Sequence, residues 1–210
     1  MYHLPYYKEK DKGLLFEFMK KYPFAILMGV DHEQKPVATQ IPFLFVEKEG
    51  TICLRGHIMR GTDHHKAFSE NKNVMALFTG PHTYVSASWY EDKQQGSTWN
   101  YMTVQAKGEL SFLPEDQLLI LLNDLTSHFE NDPSSLALFK NISEEYINRM
   151  VKAIVAIEIK VVSLEHVFKL SQNRDEKSYF TIIDKLMSKD PDAKAIAREM
   201  IKRKHEFFPK

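Results

Sequence analysis

The chain has 210 residues, 43% of them apolar, enough to build the core of one ordinary domain. Lysine plus arginine and aspartate plus glutamate balance at 28 each, so no global field draws the protein to nucleic acid or to an anionic membrane. Cys53 is the only cysteine, which excludes an internal disulfide framework and a thiolate zinc site. Apolar runs such as residues 24–30 are too short to span a bilayer. We therefore expect a soluble, cytoplasmic protein with no membrane partner.

The first half of the chain has the pattern of strands with short helices inserted. Asp11 is a candidate cap for a helix over residues 12–22, and Pro23 ends that helix. Apolar, β-branched and aromatic runs between turn residues predict six strands, at 24–30, 36–46, 51–57, 73–79, 83–86 and 99–112. Gly108, inside the last run, indicates a bend or bulge. Strands at this spacing favour a closed or nearly closed barrel.

The second half of the chain is mainly helical. Pro114 and the leucines that follow it predict a helix to about residue 129, Ser143 caps a helix over 144–152, and residues 153–162 return to strand. Two more helices are predicted, one over 175–188 and one that begins at Asp190-Pro191 and carries several basic residues. Because no linker or repeat interrupts the chain, we expect a domain over residues 1–165, with residues 166–210 as its helical C-terminal extension.

Residues 54–66 combine groups that bind anions. An apolar strand-like run enters this stretch and a helix-like run leaves it, with two glycines, Arg60, three histidines and Lys66 between. Glycines let backbone amides approach a ligand, a helix start offers unpaired N–H groups, and an arginine can bind phosphate oxygens in a fork. The pattern predicts a phosphate site. The same residues are also compatible with a plain turn at Gly61-Thr62-Asp63 whose charges are solvated.

Two further polar clusters have a composition that suits a planar ligand. One joins residues 80–90 to residues 97–101, and the other covers residues 169–174. A flat heteroaromatic molecule with a phosphate tail needs a cation for the phosphate, amide groups for ring carbonyls, and aromatic walls. The alternative for Trp89, Trp99 and the tyrosines is ordinary packing in the core and at its rim.

Other chemistries have weaker support in the sequence. His57, His64 and His65 lie close together, but adjacent histidines point apart on a helix or a strand, and no His-Glu-x-x-His motif occurs. Ser86 and Ser88 lack a Gly-x-Ser-x-Gly elbow, and paired carboxylates at strand ends are not evident. We predict neither a metal site nor catalytic residues.

Six motifs occur in an order that resembles a known family. They are Tyr22-Pro-Phe-Ala, Ile41-Pro-Phe, Gly56-His57-x-x-Arg60, Phe78-Thr-Gly-Pro-His-Thr-Tyr-Val-Ser-x-Ser-Trp-Tyr, Thr98-Trp-Asn-Tyr and Lys169-Leu-Ser-Gln-Asn-Arg. The chain resembles the PaiB family, described as FMN-binding split-barrel proteins and negative transcriptional regulators. The resemblance implies a mainly β (α+β) fold, a six-stranded antiparallel split β-barrel with peripheral helices and a helical C-terminal tail. It also implies a homodimer with FMN at the subunit interface.

The resemblance implies which residues bind FMN. Arg60 matches the arginine after the family's Gly-His, and Lys66 sits where related flavin barrels place a phosphate-binding lysine. Trp99-Asn100 is expected to supply the flavin's second wall from the partner subunit. The predicted cofactor-binding residues are His57, Arg60, Thr62, Lys66, Thr39, Trp99, Asn100 and Gln105. The chain departs from the family pattern in having Arg60-Gly61-Thr62-Asp63 instead of Arg-Ala-Asn-Pro, and Gln40 where histidine is common.

Three functions follow from this resemblance. The first is an FMN-binding dimer that represses transcription through DNA or a protein partner, for which Lys202, Arg203 and Lys204 of the last helix are the candidate DNA contacts. The second is an FMN-dependent oxidoreductase that uses NAD(P)H on a small molecule, so whether the protein is an enzyme stays open. The third is a haem-binding barrel in which one of the nine histidines is the axial ligand.

Overall fold

The structure is a computed structural model that describes residues 1–2, 4–48 and 50–209. His3, one of the nine histidines considered for haem, lies outside the described residues. The described helices are α1 (Lys12–Lys21), α2 (Asp63–Glu70), α3 (Glu115–Glu130), α4 (Glu144–Ala153), α5 (Glu176–Met187) and α6 (Pro191–Phe207). The described strands are β1 (Phe24–Val30), β2 (Pro36–Pro42), β3 (Leu44–Lys48), β4 (Thr51–Met59), β5 (Asn73–Val85), β6 (Thr98–Phe112) and β7 (Ile154–Lys169).

The sheet has seven strands in the described residues, so the expected number of six is wrong. Their order is β2-β1-β5-β6-β7-β4-β3, and β1–β2, β1–β5, β3–β4 and β4–β7 pair antiparallel. Residues 36–46, predicted as one strand, divide at Phe43 into β2 and β3. Pro42 has no N–H to give to a neighbouring strand, and the Phe43 N–H donates to the carbonyl of Pro23 at 3.0 Å.

The division at Phe43 sends consecutive strands to opposite edges of the sheet. β2 pairs with β1, whereas β3 pairs with β4. Because Phe43 alone joins β2 to β3, the two edge strands meet there. The core face of β4 confirms this approach, since a Cβ built on Gly56 would lie 3.0 Å from the carbonyl oxygen of Pro42. This part of the sheet therefore curls as a split barrel requires.

The chain forms two compact units. The first contains Met1–Met19, Thr79–Val104 and Glu165–Lys210, and the second contains Lys20–Phe78 and Gln105–Leu164. Strands β5, β6 and β7 each contribute residues to both units. The predicted division into residues 1–165 and a C-terminal extension over residues 166–210 stays a prediction.

The second unit has a hydrophobic cluster on one face of its sheet. Leucines of α3 and Val151 of α4 pack against Ile154 and Ala156 of β7, and all of these side chains are buried. On the opposite face of the neighbouring strand β4, Leu54 and Ile58 are buried as well. Both faces of β4 therefore carry packed side chains, as a barrel strand covered by helices should.

Gly80 of β5 and Gly108 of β6 have different effects on their strands. The buried residues of β5 change from even to odd numbers at Thr79-Gly80, which indicates one extra residue in the strand, as at a β-bulge. In β6 the alternation continues unbroken through Gly108, so no extra residue forms a bulge there. A Cβ at Gly108 would lie 2.2 Å from the carbonyl oxygen of Lys160, so this glycine permits close approach of β7.

The first unit is held together by its N-terminal segment and the last two helices. Helices α5 and α6 pack on each other, and the Tyr179 hydroxyl donates to the carbonyl of Met200 at 2.9 Å. The Glu9 N–H donates to Nε2 of His166 at 2.7 Å, while the Glu9 carboxylate pairs with Arg203. Across the described part of the chain, none of the helices is long and apolar enough to cross a membrane.

Candidate functional site

The turn from β4 to α2 positions Arg60. Its backbone N–H donates to the carbonyl of Ala153 at 2.8 Å, and its Nε donates to the carbonyl of Ile154 at 2.9 Å. Arg60 is exposed, and within the described residues its two terminal nitrogens have no hydrogen-bond partner. Gly61 follows with a positive φ of 78° and open space at its Cβ position. The carbonyl of Ile154 therefore holds the arginine by its Nε, and the outer edge of the guanidinium stays exposed.

The start of α2 is capped by the protein itself, which corrects the expectation of unpaired N–H groups at this point. The Thr62 hydroxyl accepts from the His65 N–H at 3.3 Å and donates to the carbonyl of Met59 at 2.9 Å. The His64 N–H donates to the Asp63 carboxylate at 2.7 Å. Thr62 and Asp63 thus accept hydrogen bonds from N–H groups at the start of α2. An anion at this place would contact side-chain cations and not unpaired N–H groups.

His65 is a residue of this site that the predicted set does not include. The Gly61 N–H donates to its Nδ1 at 3.3 Å, so the hydrogen of the neutral ring lies on Nε2. Burial lowers the pKa of His65, and the charges of Arg60, His64 and Lys66 lower it further. Arg60 and the exposed Lys66 therefore both act on His65. The only sequence signal for this was its spacing, one residue before Lys66.

Two other predicted residues of the second unit lie on β4 and β2. His57 faces the same side as its pairing partner Ala156, which belongs to the cluster under α3 and α4. Its Nδ1 is buried with no partner among the described residues, and burial lowers its pKa. Thr39 is half-buried on β2, and α2 packs against both β1 and β2. In the structure, β2, which carries Thr39, thus packs against α2, which carries Lys66.

The residues predicted on β6 divide between its two faces. Trp99 and Gln105 lie at odd-numbered positions on the less buried face, whereas Asn100 is fully buried on the other. The Asn100 Oδ1 accepts from the Ser171 hydroxyl at 3.0 Å, and its Nδ2 faces Sδ of Met200 at 3.6 Å. Asn100 therefore links β6 to Ser171 and to Met200 within the first unit. Both the oxygen and the nitrogen of its amide have protein partners.

Trp99 is 52% exposed and lies in an aromatic patch of the first unit. Its ring centroid is 5.9 Å from that of His82 and 6.0 Å from that of Tyr84, which meets it edge to face. Tyr84 is itself 44% exposed. Rings of this size left open to solvent are suited to pack on a planar ligand or another protein surface.

Residues 169–174 form a tight turn. Ser171 has a positive φ of 61°, which is strained for a residue with a side chain and costs about 1–3 kcal/mol. The Arg174 N–H donates to the carbonyl of Ser171 at 3.0 Å, and the Gln172 side chain bonds the backbone of Leu170 and Phe168. The turn is held from several sides.

The basic face expected on α6 is smaller than predicted. Arg203 is only 7% exposed and pairs with Glu9 and with Glu199. Lys202 is exposed and Lys204 is half-buried. Arg203 therefore belongs to the fold and is not a free contact for DNA.

Comparison with known proteins identifies the family. The model of a family described as "Putative FMN-binding domain" matches residues 1–163. "Protease synthase and sporulation protein PAI 2" of Bacillus subtilis is 31% identical over 201 residues, which cover 95% of this chain and 96% of that protein. The chain belongs to the PaiB family. FMN is its cofactor, and the members of this family are FMN-binding split-barrel proteins.

Solved structures agree on the fold. A flavocytochrome from Azotobacter vinelandii has a TM-score of 0.56 and 14% identity, with 86% of this chain and 78% of that chain covered. An FAD and heme binding protein from Mycobacterium smegmatis has a TM-score of 0.54 and 16% identity, with 77% and 72% covered. At these identities the likeness concerns the fold alone.

The residues at the β4–α2 turn fit the phosphate of FMN. Arg60 presents terminal nitrogens without a partner among the described residues, Lys66 is exposed, and Gly61 leaves space beside them. A phosphate monoester carries up to two negative charges near neutral pH, and two side-chain cations can neutralise them.

Proposed function

We propose that this PaiB family protein is an FMN-binding homodimer that acts as a negative regulator of transcription. The observation that carries the proposal is Arg60, whose Nε is held by the carbonyl of Ile154 while its terminal nitrogens have no partner among the described residues, just before the helix that carries the exposed Lys66, in a chain of an FMN-binding family. Arg60 grips the phosphate through its terminal nitrogens, and Lys66 adds a second charge. When bound, FMN supplies a redox-active ring, so the state of the flavin can be the signal that the regulator reads.

The other predicted residues take distinct parts in this proposal. Thr39 and Gln105 offer polar groups for the flavin ring, and Trp99 supplies an aromatic wall from the partner subunit. Thr62 positions the β4–α2 turn, and His57 positions β4, the strand that leads to this turn. Asn100 fixes β6, the strand that carries Trp99. The exposed rings at Trp99, His82 and Tyr84 support a partner surface, because such a patch is costly to leave in water.

The first experiment is a visible spectrum of the purified protein, followed by thermal shift with added FMN. Binding of FMN at about 100 times its Kd should add about 2.7 kcal/mol of stability. Light scattering at several concentrations tests the homodimer, and Trp99→Ala should lower both dimer and flavin content. A colourless monomer whose melting ignores FMN contradicts the proposal.

Regulation is tested separately from flavin binding. The relative in Bacillus subtilis is named "Protease synthase and sporulation protein PAI 2", and its link to sporulation supports a regulatory output. We would measure binding to DNA from upstream of the gene that encodes this protein, at several salt concentrations and with oxidised and reduced flavin. The affinity for DNA should fall as the salt concentration rises. The variant to compare with the wild type has glutamine in place of both Lys202 and Lys204. Both lysines lie on α6 outside the buried ion pair of Arg203 and Glu9. Salt-independent or absent DNA binding makes a protein the partner instead.

Haem binding is the second candidate function. The two solved structures with this fold are named for flavin together with haem, and their TM-scores exceed 0.5. Among the exposed histidines of the described residues, His82 lies beside the exposed ring of Trp99, against which a haem could pack. A Soret band on titration with haemin, lost in His82→Ala, supports this candidate. Acceleration of flavin reduction by NAD(P)H tests the oxidoreductase alternative.

A further inference from the structure

Residues 4–9, which we call the strap, are fastened to β7 and α6 of the first unit. The Glu9 N–H donates to Nε2 of His166 at 2.7 Å, and Nζ of Lys8 donates to the carbonyl of the same histidine at 2.9 Å. The Glu9 carboxylate pairs with Arg203, and these two side chains are 8% and 9% exposed. One histidine therefore holds the end of the strap through both its ring and its backbone, beside a buried ion pair.

The hydrogen bond from Glu9 requires a neutral His166. Because an N–H donates to Nε2, this nitrogen carries no hydrogen, and the single hydrogen of the neutral ring lies on Nδ1. Nδ1 is buried and has no hydrogen-bond partner among the described residues. A proton added at Nε2 would point at the Glu9 N–H, so that two donors would face each other. Protonation of the ring therefore removes the hydrogen bond that holds the strap to β7.

The charged groups of the strap act on His166 in opposite directions. Burial lowers the pKa of His166, and the charge of Lys8 lowers it further. The backbone and the carboxylate of Glu9 raise it, but these effects are smaller, and the pKa stays below its ordinary value. The closed strap thus surrounds a histidine that resists protonation more strongly than a histidine in water does.

Two helices complete the surroundings of His166 through the ring of Phe168. This ring lies two residues further along β7, with its centroid 5.8 Å from that of His166, and the two rings meet edge to face. Helix α1 contributes Phe18, whose ring centroid is 5.2 Å from that of Phe168. Helix α6 places the Arg203 guanidinium 5.2 Å from the Phe168 ring, and Glu199 pairs with this arginine. From α6, His166 is therefore faced by a cation together with its paired carboxylate, and from α1 by an uncharged ring.

The strap covers aromatic side chains near the exposed aromatic patch of the first unit. Tyr7 is 4% exposed, and its ring centroid lies 4.4 Å from that of Tyr6 and 6.1 Å from that of Tyr2. Burial raises the pKa of Tyr101, and Tyr2 raises it further, so Tyr2 lies near this side chain of β6. Tyr101 follows Trp99 by two residues on the same face of the strand. Movement of the strap would therefore expose Tyr7 and change the surface beside Trp99.

We propose that His166 is a pH-sensitive latch, whose protonation in mildly acidic solution frees the strap from β7 and exposes Tyr7. All of the contacts that carry this proposal lie within the first unit, so it does not depend on the proposed function. The open strap leaves His166 in water, where a histidine has a pKa of about 6.5, whereas the closed strap admits the proton only at lower pH. As the pH falls below about 6.5, the ratio of open to closed strap should therefore rise by up to about tenfold per pH unit. The rise ends at the lowered pKa of the closed form.

The ion pair of Glu9 persists while His166 titrates. Burial raises the pKa of Glu9, but hydrogen bonds from the Asp11 N–H and from Arg203 outweigh this effect, and the pKa stays below its ordinary value. The carboxylate is therefore still charged in mildly acidic solution. Glu9 thus stays attached to α6 and acts as the hinge about which residues 4–8 move.

Hydrogen–deuterium exchange of the whole protein measures the opening of the strap. The N–H groups of Tyr7, Lys8 and Glu9 are hydrogen-bonded in the closed form. Their protection, corrected for the intrinsic exchange rate, should fall by up to about tenfold between about pH 7.5 and about pH 5.5, while peptides of α5 keep theirs. His166→Gln can accept the same hydrogen bond through its amide oxygen but does not titrate, so its strap should show no dependence on pH. His205→Gln, at an exposed histidine of α6, is the matched control and should behave as the wild type does.

Nitrogen NMR of the histidine rings is the second measurement, made on the wild type. At about pH 7.5 the neutral His166 should carry its hydrogen on Nδ1. The proposal is overturned if the strap is equally protected at both pH values, because the charged ring would then find an acceptor in the closed form. It is also overturned if the pH dependence persists in His166→Gln, if α5 loses protection to the same extent, or if the hydrogen lies on Nε2. Loss of the pH dependence in His166→Gln supports the latch whether the strap of this variant is closed or open.

Discussion

Replacement of Arg60 by alanine separates phosphate binding from folding. The variant keeps the backbone bond to Ala153 and loses the bond from Nε to Ile154, which costs about 1 kcal/mol. It also loses the charge-assisted bonds to phosphate, worth about 1.5–3 kcal/mol, so the Kd for FMN should rise roughly 10-fold to 150-fold. At an FMN concentration of about 100 times the wild-type Kd, stabilisation should fall from about 2.7 kcal/mol to about 0.4 kcal/mol if the rise is about 100-fold.

The assay is flavin content per chain after purification, followed by thermal shift against FMN concentration. Arg149→Ala, an exposed arginine of α4 in the same unit, is the matched control and should keep full flavin. Arg60→Lys should bind with intermediate affinity, because it retains a charge but cannot form a fork. An Arg60→Ala protein that copurifies with full flavin would refute the reasoning and move the phosphate elsewhere.

Three further outcomes follow from contacts described above. Phosphate should raise the lowered pKa of His65, so His65 should take up a proton when FMN binds in the acidic range where it titrates, and His65→Gln should remove that proton uptake in calorimetry. Gly108→Ala places a Cβ 2.2 Å from a β7 carbonyl oxygen and should cost about 3 kcal/mol or more in urea unfolding, whereas Gly61→Ala, strained only by its φ, should cost about 1–2 kcal/mol. Arg203→Met leaves the buried carboxylate of Glu9 unpaired and should cost about 3–5 kcal/mol, so an unchanged melting temperature would contradict the ion pair.

Local signals in the sequence were sufficient for three of the helix starts. Asp175, Ser143 and Asp190 all cap the helices predicted after them, with bonds of 2.8, 3.3 and 2.9 Å to the N–H three residues later. A cap depends on the side chain and backbone of one turn, so its pattern is complete in the sequence. The family motifs were equally informative, because they name the cofactor without any knowledge of distances.

Contacts between distant segments were the part that sequence reasoning could not reach. The break at Phe43 depends on a carbonyl 20 residues earlier, and the burial of Arg203 depends on Glu9 at the other end of the chain. Asn100, next to Trp99, was predicted to contact the ligand. Strand alternation instead places its side chain in the core, where its amide oxygen accepts a hydrogen bond from the Ser171 hydroxyl. In each case the deciding partner is far away in the sequence.

The departures from the family pattern acquire a physical meaning at the β4–α2 turn. Gly61 permits the positive φ, Thr62 caps α2, and Asp63 bonds the His64 N–H, so these three residues together close the helix start that a phosphate would otherwise use. In the proposed FMN site, Arg60 and Lys66 then bind the anion. Exposed cations are screened by salt, whereas backbone N–H groups carry no net charge. FMN affinity in this chain should therefore fall with ionic strength, and it should fall more steeply than in members that retain Arg-Ala-Asn-Pro.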